Sequence, residues 1–557
     1  MKHWLLFSCA AIIFFGCKPV QQTGKTSVNP FNYSIQKKAV ASNGMVVSAH
    51  PLASTVGMQV MQKGGNAFDA VIATQLALAV VFPNAGNLGG GGFLVAQQSN
   101  GALLALDYRE MAPAAAHRDL YLDAKGEVQA DKAMNGHLSS GVPGTVAGLF
   151  QTLPYAKLPF EQLIQPAIDL AEGGFAITAA EARSLNNIQA DLKKYNTAMP
   201  VFVKTTPWKE GDTLVQKDLA QTLRRIQKDG AAGFYEGETA KLVVEEMKRG
   251  GGIITEKDLK AYRAIWRTPH TFMYKNYKIV SMPPPSSGGI LLHQMLKMVE
   301  DKPLSTWGFL APQSVQVMVE AERRAYADRA QYIGDPDFYA VPTATITSEA
   351  YLKERMKDFV PGVAGSSQNV SWGQVKESEE TTHISITDAQ GNAVAVTTTL
   401  NNSYGSKTVV GGAGFLLNDE MDDFSAKPGV PNMYGAIGGE ANAIAPGKRM
   451  LSSMTPTLVL QNGKPFLVIG TPGGTTIPTS VFQTIVNVID FSMSTEDAVN
   501  KPKFHHQWLP DQIDVERTFP QATREALQKM GYKLRERGAI GRTEVIKVLP
   551  DGRFEGI

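Results

Sequence analysis

Apolar and polar positions change rhythm along this chain in a way that separates helices from strands. After His50-Pro51, apolar residues recur at helical spacing up to Gly64-Gly65, a pair suited to stopping a helix. Asn66 is placed to cap a second helix, whose apolar run reaches Phe82-Pro83. Its stretch from Ala70 to Val81 is shorter than a membrane span and predicts a helix buried inside the protein. The glycine run Asn87-Leu88-Gly89-Gly90-Gly91-Gly92-Phe93 then leads into a strand. No Lys-Ser/Thr follows it, so close backbone packing is expected there and a phosphate cradle is not. From about residue 160 to 360 helical spacing dominates, including a helix with a charged face over Val315 to Arg329. The stretch Pro283-Pro284-Pro285-Ser286-Ser287-Gly288-Gly289 interrupts this region as a rigid loop.

Beyond residue 380 the period shortens to two. His383-Ile384-Ser385-Ile386-Thr387-Asp388 alternates, turns through Gln390-Gly391-Asn392 and returns as Ala393 to Leu400. A second hairpin runs Thr457 to Leu460, turns at Asn462-Gly463 and resumes over Phe466 to Gly470. Helical patterns follow at Ser480 to Phe491 and Thr495 to Asn500. Hairpins followed by helices in both halves predict an α+β protein with two sheets packed face to face and helices outside, a four-layer αββα sandwich. A chain of 557 residues is long enough for two lobes or one such large sandwich.

The N-terminus has its own pattern. Lys2 precedes an apolar run from Trp4 to Phe15, which meets Gly16-Cys17. This run is short for a bilayer span and reads as the core of a signal peptide. A small residue followed by Cys resembles the bacterial lipobox, in which Cys17 is lipidated and becomes the mature N-terminus. Cleavage by an ordinary signal peptidase and a simple membrane-anchoring helix are the alternatives. Residues 18–35, rich in Gln, Thr, Lys, Ser and Asn, suit a flexible tether. The two cysteines are Cys9 and Cys17, so a mature chain starting at Cys17 forms no internal disulfide and has no cysteine nucleophile. The formal charge of +2 comes without a cluster of Lys and Arg, which argues against nucleic acid as a partner.

The chain has no G-x-S-x-G elbow and no H-E-x-x-H, and His505-His506 are adjacent, not spaced for one metal on a helix face. An enzyme built this way uses Ser or Thr with a base other than His. Thr381-Thr382-His383 opens the first hairpin directly after Glu377-Ser378-Glu379-Glu380. A break at Glu380–Thr381 would give Thr381 a free α-amine with a pKa of roughly 8, partly neutral near pH 7 and able to act as base. On spacing alone, two threonines before a strand are better explained as ordinary strand residues.

Longer motifs carry more. Asp107-Tyr108-Arg109-Glu110-Met111-Ala112-Pro113, Gly141-Val142-Pro143-Gly144-Thr145, Thr381-Thr382-His383, Asp422-Asp423-Phe424-Ser425, Leu451-Ser452-Ser453-Met454, Pro472-Gly473-Gly474 and Phe504-His505-His506-Gln507-Trp508-Leu509-Pro510 occur in this order. With them, from about Ser34 to the C-terminus, the chain resembles the γ-glutamyltranspeptidase family of N-terminal-nucleophile hydrolases. The resemblance implies a large subunit over 36–380 and a small one over 381–557, after a leader over 1–17 and the 18–35 tether. It implies that Thr381 attacks first the Glu380 carbonyl and then a γ-glutamyl carbonyl, that Thr399 hydrogen-bonds the Thr381 hydroxyl, and that the Gly473 and Gly474 amides hold the oxyanion. Arg109, Ser452 and Ser453 would take the donor's α-carboxylate, and Asn401, Glu420 and Asp423 its α-ammonium. Tyr434, within Pro428 to Gly439, would lie in a lid. The histidines of the last motif would be structural.

The same resemblance implies no cofactor and no metal. It implies glutathione and other γ-glutamyl compounds as donors, and water, amino acids or peptides as acceptors. The N-terminal pattern, for its part, predicts an exported protein, periplasmic or on the outer membrane, that touches the membrane only through its lipid. Two rivals share the fold: an acylase acting on glutaryl or cephalosporin-type amides, and a non-catalytic surface lipoprotein. The first would have no use for an ammonium site at Asp423 and Glu420, and the second none for Thr381, Thr399 and the glycine pair.

Overall fold

The alternating segments pair into two antiparallel sheets that stack on each other. The computed structural model describes residues 29–370, 381–427 and 439–557. Cys17, Glu380 and Tyr434 lie outside the described residues, and with them the expected leader, scissile bond and lid. One sheet has seven strands in the order Ala39–Ala41, Phe554–Gly556, Glu544–Val548, Lys464–Gly470, Thr457–Gln461, Tyr277–Ser281 and His270–Tyr274. The other has six, in the order Gly44–Ser48, Thr382–Asp388, Ala393–Thr399, Gly91–Gln97, Leu103–Tyr108 and Ile265–Arg267.

The period of two decides what each strand face meets. Ala393 and Ala395 point between the sheets with Phe93, Val95, Leu458, Val468 and Ile546. Val394 and Val396 point the other way, into a cluster with Leu76, Leu163 and Leu223 from the helices Ala67–Val81, Phe160–Gly173 and Lys217–Asp229. On the far side Val459, Leu467 and Ile469 pack against Leu292, Val319 and Ile485 of Gly288–Val299, Pro312–Tyr332 and Thr476–Ile489. The result is the expected four-layer αββα sandwich. At about 1.5–3 kcal/mol per buried aliphatic side chain, these three apolar layers supply most of the drive to stack.

The helix expected from Asn66 onward is Ala67–Val81, and every residue in it is buried. Asn66 Oδ1 accepts from the Phe68 and Asp69 amides at 2.7 and 3.1 Å, while the Asn66 amide donates to Asp69 Oδ2 at 2.7 Å. Asp388, at the end of the strand that follows Thr381, accepts from the Ala67 amide at 2.9 Å and so ties that strand to the helix. Both expected hairpins form, and Asn462 and Gly463 adopt positive φ as their tight turn requires.

Three expectations change. The region read as helical contains the strands Ile265–Arg267, His270–Tyr274 and Tyr277–Ser281; the first and last pair with segments far along the chain, and His270–Tyr274 pairs with its neighbour Tyr277–Ser281. The helix expected from Ser480 begins at Thr476, directly after the Gly473-Gly474 turn. The charged face over Val315 to Arg329 does not meet water: Glu320, Glu322, Arg323, Arg324, Asp328 and Arg329 are all buried. Arg323 and Arg324 pair with Glu320, which keeps these charges satisfied inside the fold.

Candidate active site

Thr381 sits at the entry to a strand that is paired on both sides, by Gly44–Ser48 and by Ala393–Thr399. Thr382 faces Thr398 in that register, so one residue earlier Thr381 stands opposite Thr399. Both threonines are buried to within a few per cent. Thr399 Oγ1 accepts from the Asn401 amide at 2.8 Å, and the chain then turns sharply, with positive φ at Asn401, Tyr404 and Lys407. Asn401 Nδ2 reaches back to the Asp419 carbonyl at 3.0 Å, which joins this turn to the 3-10 turn Glu420–Asp423.

The glycine run makes this possible by close approach. A Cβ on Gly90 would stand 2.1 Å from the Thr399 carbonyl oxygen. Asn87 Nδ2 donates to that same carbonyl at 2.9 Å, and the Gly144 and Thr145 amides close on the Gly90 carbonyl at 2.7 and 3.0 Å. Asn418, which the sequence does not single out, joins these pieces. Its Oδ1 accepts from the Gly141 and Glu420 amides at 2.8 and 3.1 Å, and its Nδ2 donates to the Gly89 carbonyl at 2.8 Å.

Arg109 leaves the end of the strand Leu103–Tyr108 and is about 1% exposed. Its guanidinium pairs with Glu420 at 2.5 Å and with Asp423, and it donates to the Leu451 carbonyl at 3.2 Å. Burial, the largest influence, pulls the Arg109 pKa down, and Glu420, Asp423 and Glu110 more than reverse it, so the charge is secure. Burial pushes the Glu420 carboxyl well above its ordinary range, against the pull of Arg109, and raises Asp423 in the same way. Glu110, another residue missed as a candidate, lies 3.5 Å from Arg109, and burial lifts its carboxyl to about 8. Glu110 Oε1, Glu420 Oε1, Asp423 Oδ1 and Ser453 Oγ are buried without hydrogen-bond partners among the described residues.

The Pro283–Gly289 loop holds the serine pair. The Ser452 amide donates to the Pro285 carbonyl at 3.1 Å, and the Ser287 amide donates to the Ser452 carbonyl at 2.7 Å. Gly473 and Gly474 have φ of +135° and +55°, a geometry that side chains oppose. Their amides donate to no partner among the described residues, and helix Thr476–Ile489 starts just beyond them, adding its positive end.

Arg109, Thr381, Thr399, Asn401, Glu420, Asp423, Ser452 and Gly474 line a single cleft, together with the apolar Met454 and Ile477. Ser453 and Gly473 stand next in sequence to lining residues. His505 and His506 do not line it.

A threonine at the entry to a central strand of an αββα sandwich, beside glycines with free amides, has the architecture of an N-terminal-nucleophile hydrolase. A family model described as Gamma-glutamyltranspeptidase matches residues 53–557. The glutathione hydrolase proenzyme of Escherichia coli (strain K12) is 45% identical over 95% of this chain and 92% of its own. The cephalosporin acylase of Bacillus halodurans superposes with a TM-score of 0.82 at 26% identity, over 96% of this chain and 97% of that one. Helicobacter pylori gamma-glutamyltranspeptidase gives a TM-score of 0.58 at 43% identity, over 61% of this chain and 97% of that one. The chain belongs to the γ-glutamyltranspeptidase family.

Proposed function

We propose that this chain is a self-cleaving γ-glutamyltransferase and glutathione hydrolase whose nucleophile is Thr381. The observation that carries the reading is the convergence of a threonine pair, a glycine turn and an Arg–carboxylate cluster on one cleft. In maturation the Thr381 hydroxyl attacks the Glu380 carbonyl, the peptide nitrogen leaves as the Thr381 α-amine, and water hydrolyses the resulting ester. The processed protein then consists of one piece ending at Glu380 and a second over 381–557. In support, the H. pylori chain matched over 97% of its length spans 61% of this one, about the share taken by 36–380.

In turnover the freed amine takes the hydroxyl proton while Oγ1 attacks the γ-carbonyl of the donor. Thr399 orients that hydroxyl. The Gly473 and Gly474 amides hold the oxyanion, where such a donor contributes a few kcal/mol. The leaving amine of the donor collects the proton, and water or the amine of an amino acid or peptide acceptor then cleaves the γ-glutamyl ester.

Arg109, with Ser452 and Ser453, takes the donor's α-carboxylate, while Glu420, Asp423 and Asn401 take its α-ammonium. Arg109 pairs with Glu420 and Asp423 themselves. A zwitterion replaces both sides of that pairing at once and leaves no buried charge alone. A glutaryl amide brings only the carboxylate, which would strand the acids, so the acylase reading fits these residues less well. Glutathione and a glutaryl anilide, assayed side by side, decide between them. Turnover of glutathione at least a hundredfold faster is expected, and a preference for the glutaryl compound would make this chain an acylase.

Among the described residues no helix is long and apolar enough to cross a membrane. We infer export and lipid anchoring from Gly16-Cys17 and the apolar run before it. A palmitate analogue should label the wild type and not Cys17→Ser. Equal labelling, or none in either, removes the anchor.

A further inference from the structure

The motif Phe504-His505-His506-Gln507-Trp508-Leu509-Pro510 plays no part in the chemistry above, yet Phe504, His505, His506 and Trp508 are buried. Its alternate residues face opposite ways. His505 and Gln507 turn toward the start of helix Thr476–Ile489. Thr475 Oγ1 donates to Gln507 Oε1 at 2.7 Å, and His505 Nε2 lies 3.0 Å from the same oxygen. His505 Nδ1 lies 2.9 Å from Thr479 Oγ1, whose hydroxyl donates to the Thr476 carbonyl at 3.0 Å. Burial holds the imidazole pKa down at about 4, so it stays neutral and this arrangement persists at neutral pH. Tyr326 closes the group from the other side: its hydroxyl donates to the Thr475 carbonyl and its ring meets His505 edge-on at 5.6 Å. Thr475 directly follows Gly474, so these bonds fix the residue from which the glycine turn departs.

His506 and Trp508 turn the other way. The His506 amide donates to the buried Glu322 at 2.8 Å. The Trp508 indole N–H is shared between the Ser367 and Val370 carbonyls at 3.1 and 2.6 Å, and Ser367 Oγ donates to the Trp508 carbonyl at 2.5 Å. Asp511 accepts from the Ser367 amide at 2.8 Å and pairs with Arg323, which also reaches Ser367 Oγ. Trp508 has a φ of +69°, a strained backbone for a bulky side chain and one that persists only when the surroundings impose it. What imposes it is the grip on Ser367 and Val370, the stretch of chain that leads toward Thr381.

We infer that this motif is a two-sided positioning element: His505 and Gln507 set the oxyanion turn for turnover, and Trp508 with Asp511 anchors the chain ahead of Thr381 for self-cleavage. The inference rests on the reading in which the Gly473 and Gly474 amides hold the oxyanion and the chain is cut before Thr381. None of these four residues lines the cleft that holds Thr381.

The two sides give separable results in the full-length chain. Gln507→Leu should lower kcat for glutathione about tenfold or more, as misplacement of a preorganised group does, with KM changed less than twofold. Thr475→Val should do the same, and Thr475→Ser, which keeps the hydroxyl, should restore kcat. Trp508→Phe keeps the ring and loses the indole donor, and should slow appearance of the two fragments about tenfold. Once cut, it should turn over glutathione as the wild type does. Ser367→Ala repeats that test with a milder change if Trp508→Phe does not accumulate as folded protein.

A kcat loss in both sets of variants, or in neither, overturns the inference, as does cleavage of Trp508→Phe and Ser367→Ala at the wild-type rate. A wild type that neither splits nor consumes glutathione instead overturns the function on which the inference stands.

Discussion

Thr381→Ala should remain a single polypeptide on a denaturing gel and lose glutathione consumption. The loss in turnover should be on the order of 10⁶-fold, the scale seen when an enzyme of this kind loses its nucleophile. The substitution removes one methyl and one hydroxyl from a residue that precedes the strand ladder, so the paired strand Thr382–Asp388 should keep its place. Thermal unfolding within a few degrees of the wild type would show that chemistry, and not the fold, has been lost. Thr381→Ser retains the hydroxyl and should both split and turn over. The decisive pair of measurements is intact mass and glutathione consumption on the same wild-type sample. A wild type that is fully active as one uncut chain would remove Thr381 from the mechanism, because its α-amine exists only after the preceding bond breaks.

Arg109→Lys separates the two reactions of that threonine. The guanidinium is about 1% exposed and meets Glu420, Asp423 and the Leu451 carbonyl at once, a fan of contacts that one ammonium cannot reproduce. Donor affinity should fall by about 2–5 kcal/mol, the range for a buried charge pair that loses its proper partner. That is roughly thirtyfold to several thousandfold in apparent KM. Self-cleavage should survive, since the bond before Thr381 brings no free carboxylate to Arg109. Wild-type donor kinetics in the lysine variant would show that Arg109 does not hold the donor. Loss of both cleavage and turnover would mean that it supports the cleft as a whole.

How much of this was legible in the sequence follows from how local each signal is. The hairpin from Thr382 to Thr399 was readable because alternation, the turn at Gln390-Gly391-Asn392 and the strand lengths all sit within twenty residues. The strand Tyr277–Ser281 was not, because it is held by pairing with Thr457–Gln461, far along the chain, and His270–Tyr274 joins the sheet only through Tyr277–Ser281. Glu110 and Asn418 were missed for a related reason. A buried carboxylate beside an arginine, or an asparagine joining three backbone segments, looks in sequence like any surface polar residue. The long helix Pro312–Tyr332 misled in the opposite direction, since its charges suggest a wet face and their partners on other elements make it a dry one.

The order of strands gives the cut a meaning beyond freeing an amine. In one sheet Thr382–Asp388 and Ala393–Thr399 lie between Gly44–Ser48 and Gly91–Gln97, and in the other Ala39–Ala41 and Tyr277–Ser281 flank strands from after residue 381. A break before Thr381 therefore leaves two polypeptides woven through each other, with strands from each piece joined in both sheets. Nothing comes apart on dilution, because separation would require both sheets to open. Unfolding, however, then yields two molecules in place of one, and reassembly becomes a meeting in solution instead of the collapse of a single chain. Each piece also carries edges that only the other can cover, a hazard for aggregation. Maturation thus works as a ratchet: the chain folds once as a unimolecular object, and after the cut its durability is a lifetime set by the unfolding barrier rather than a reversible balance.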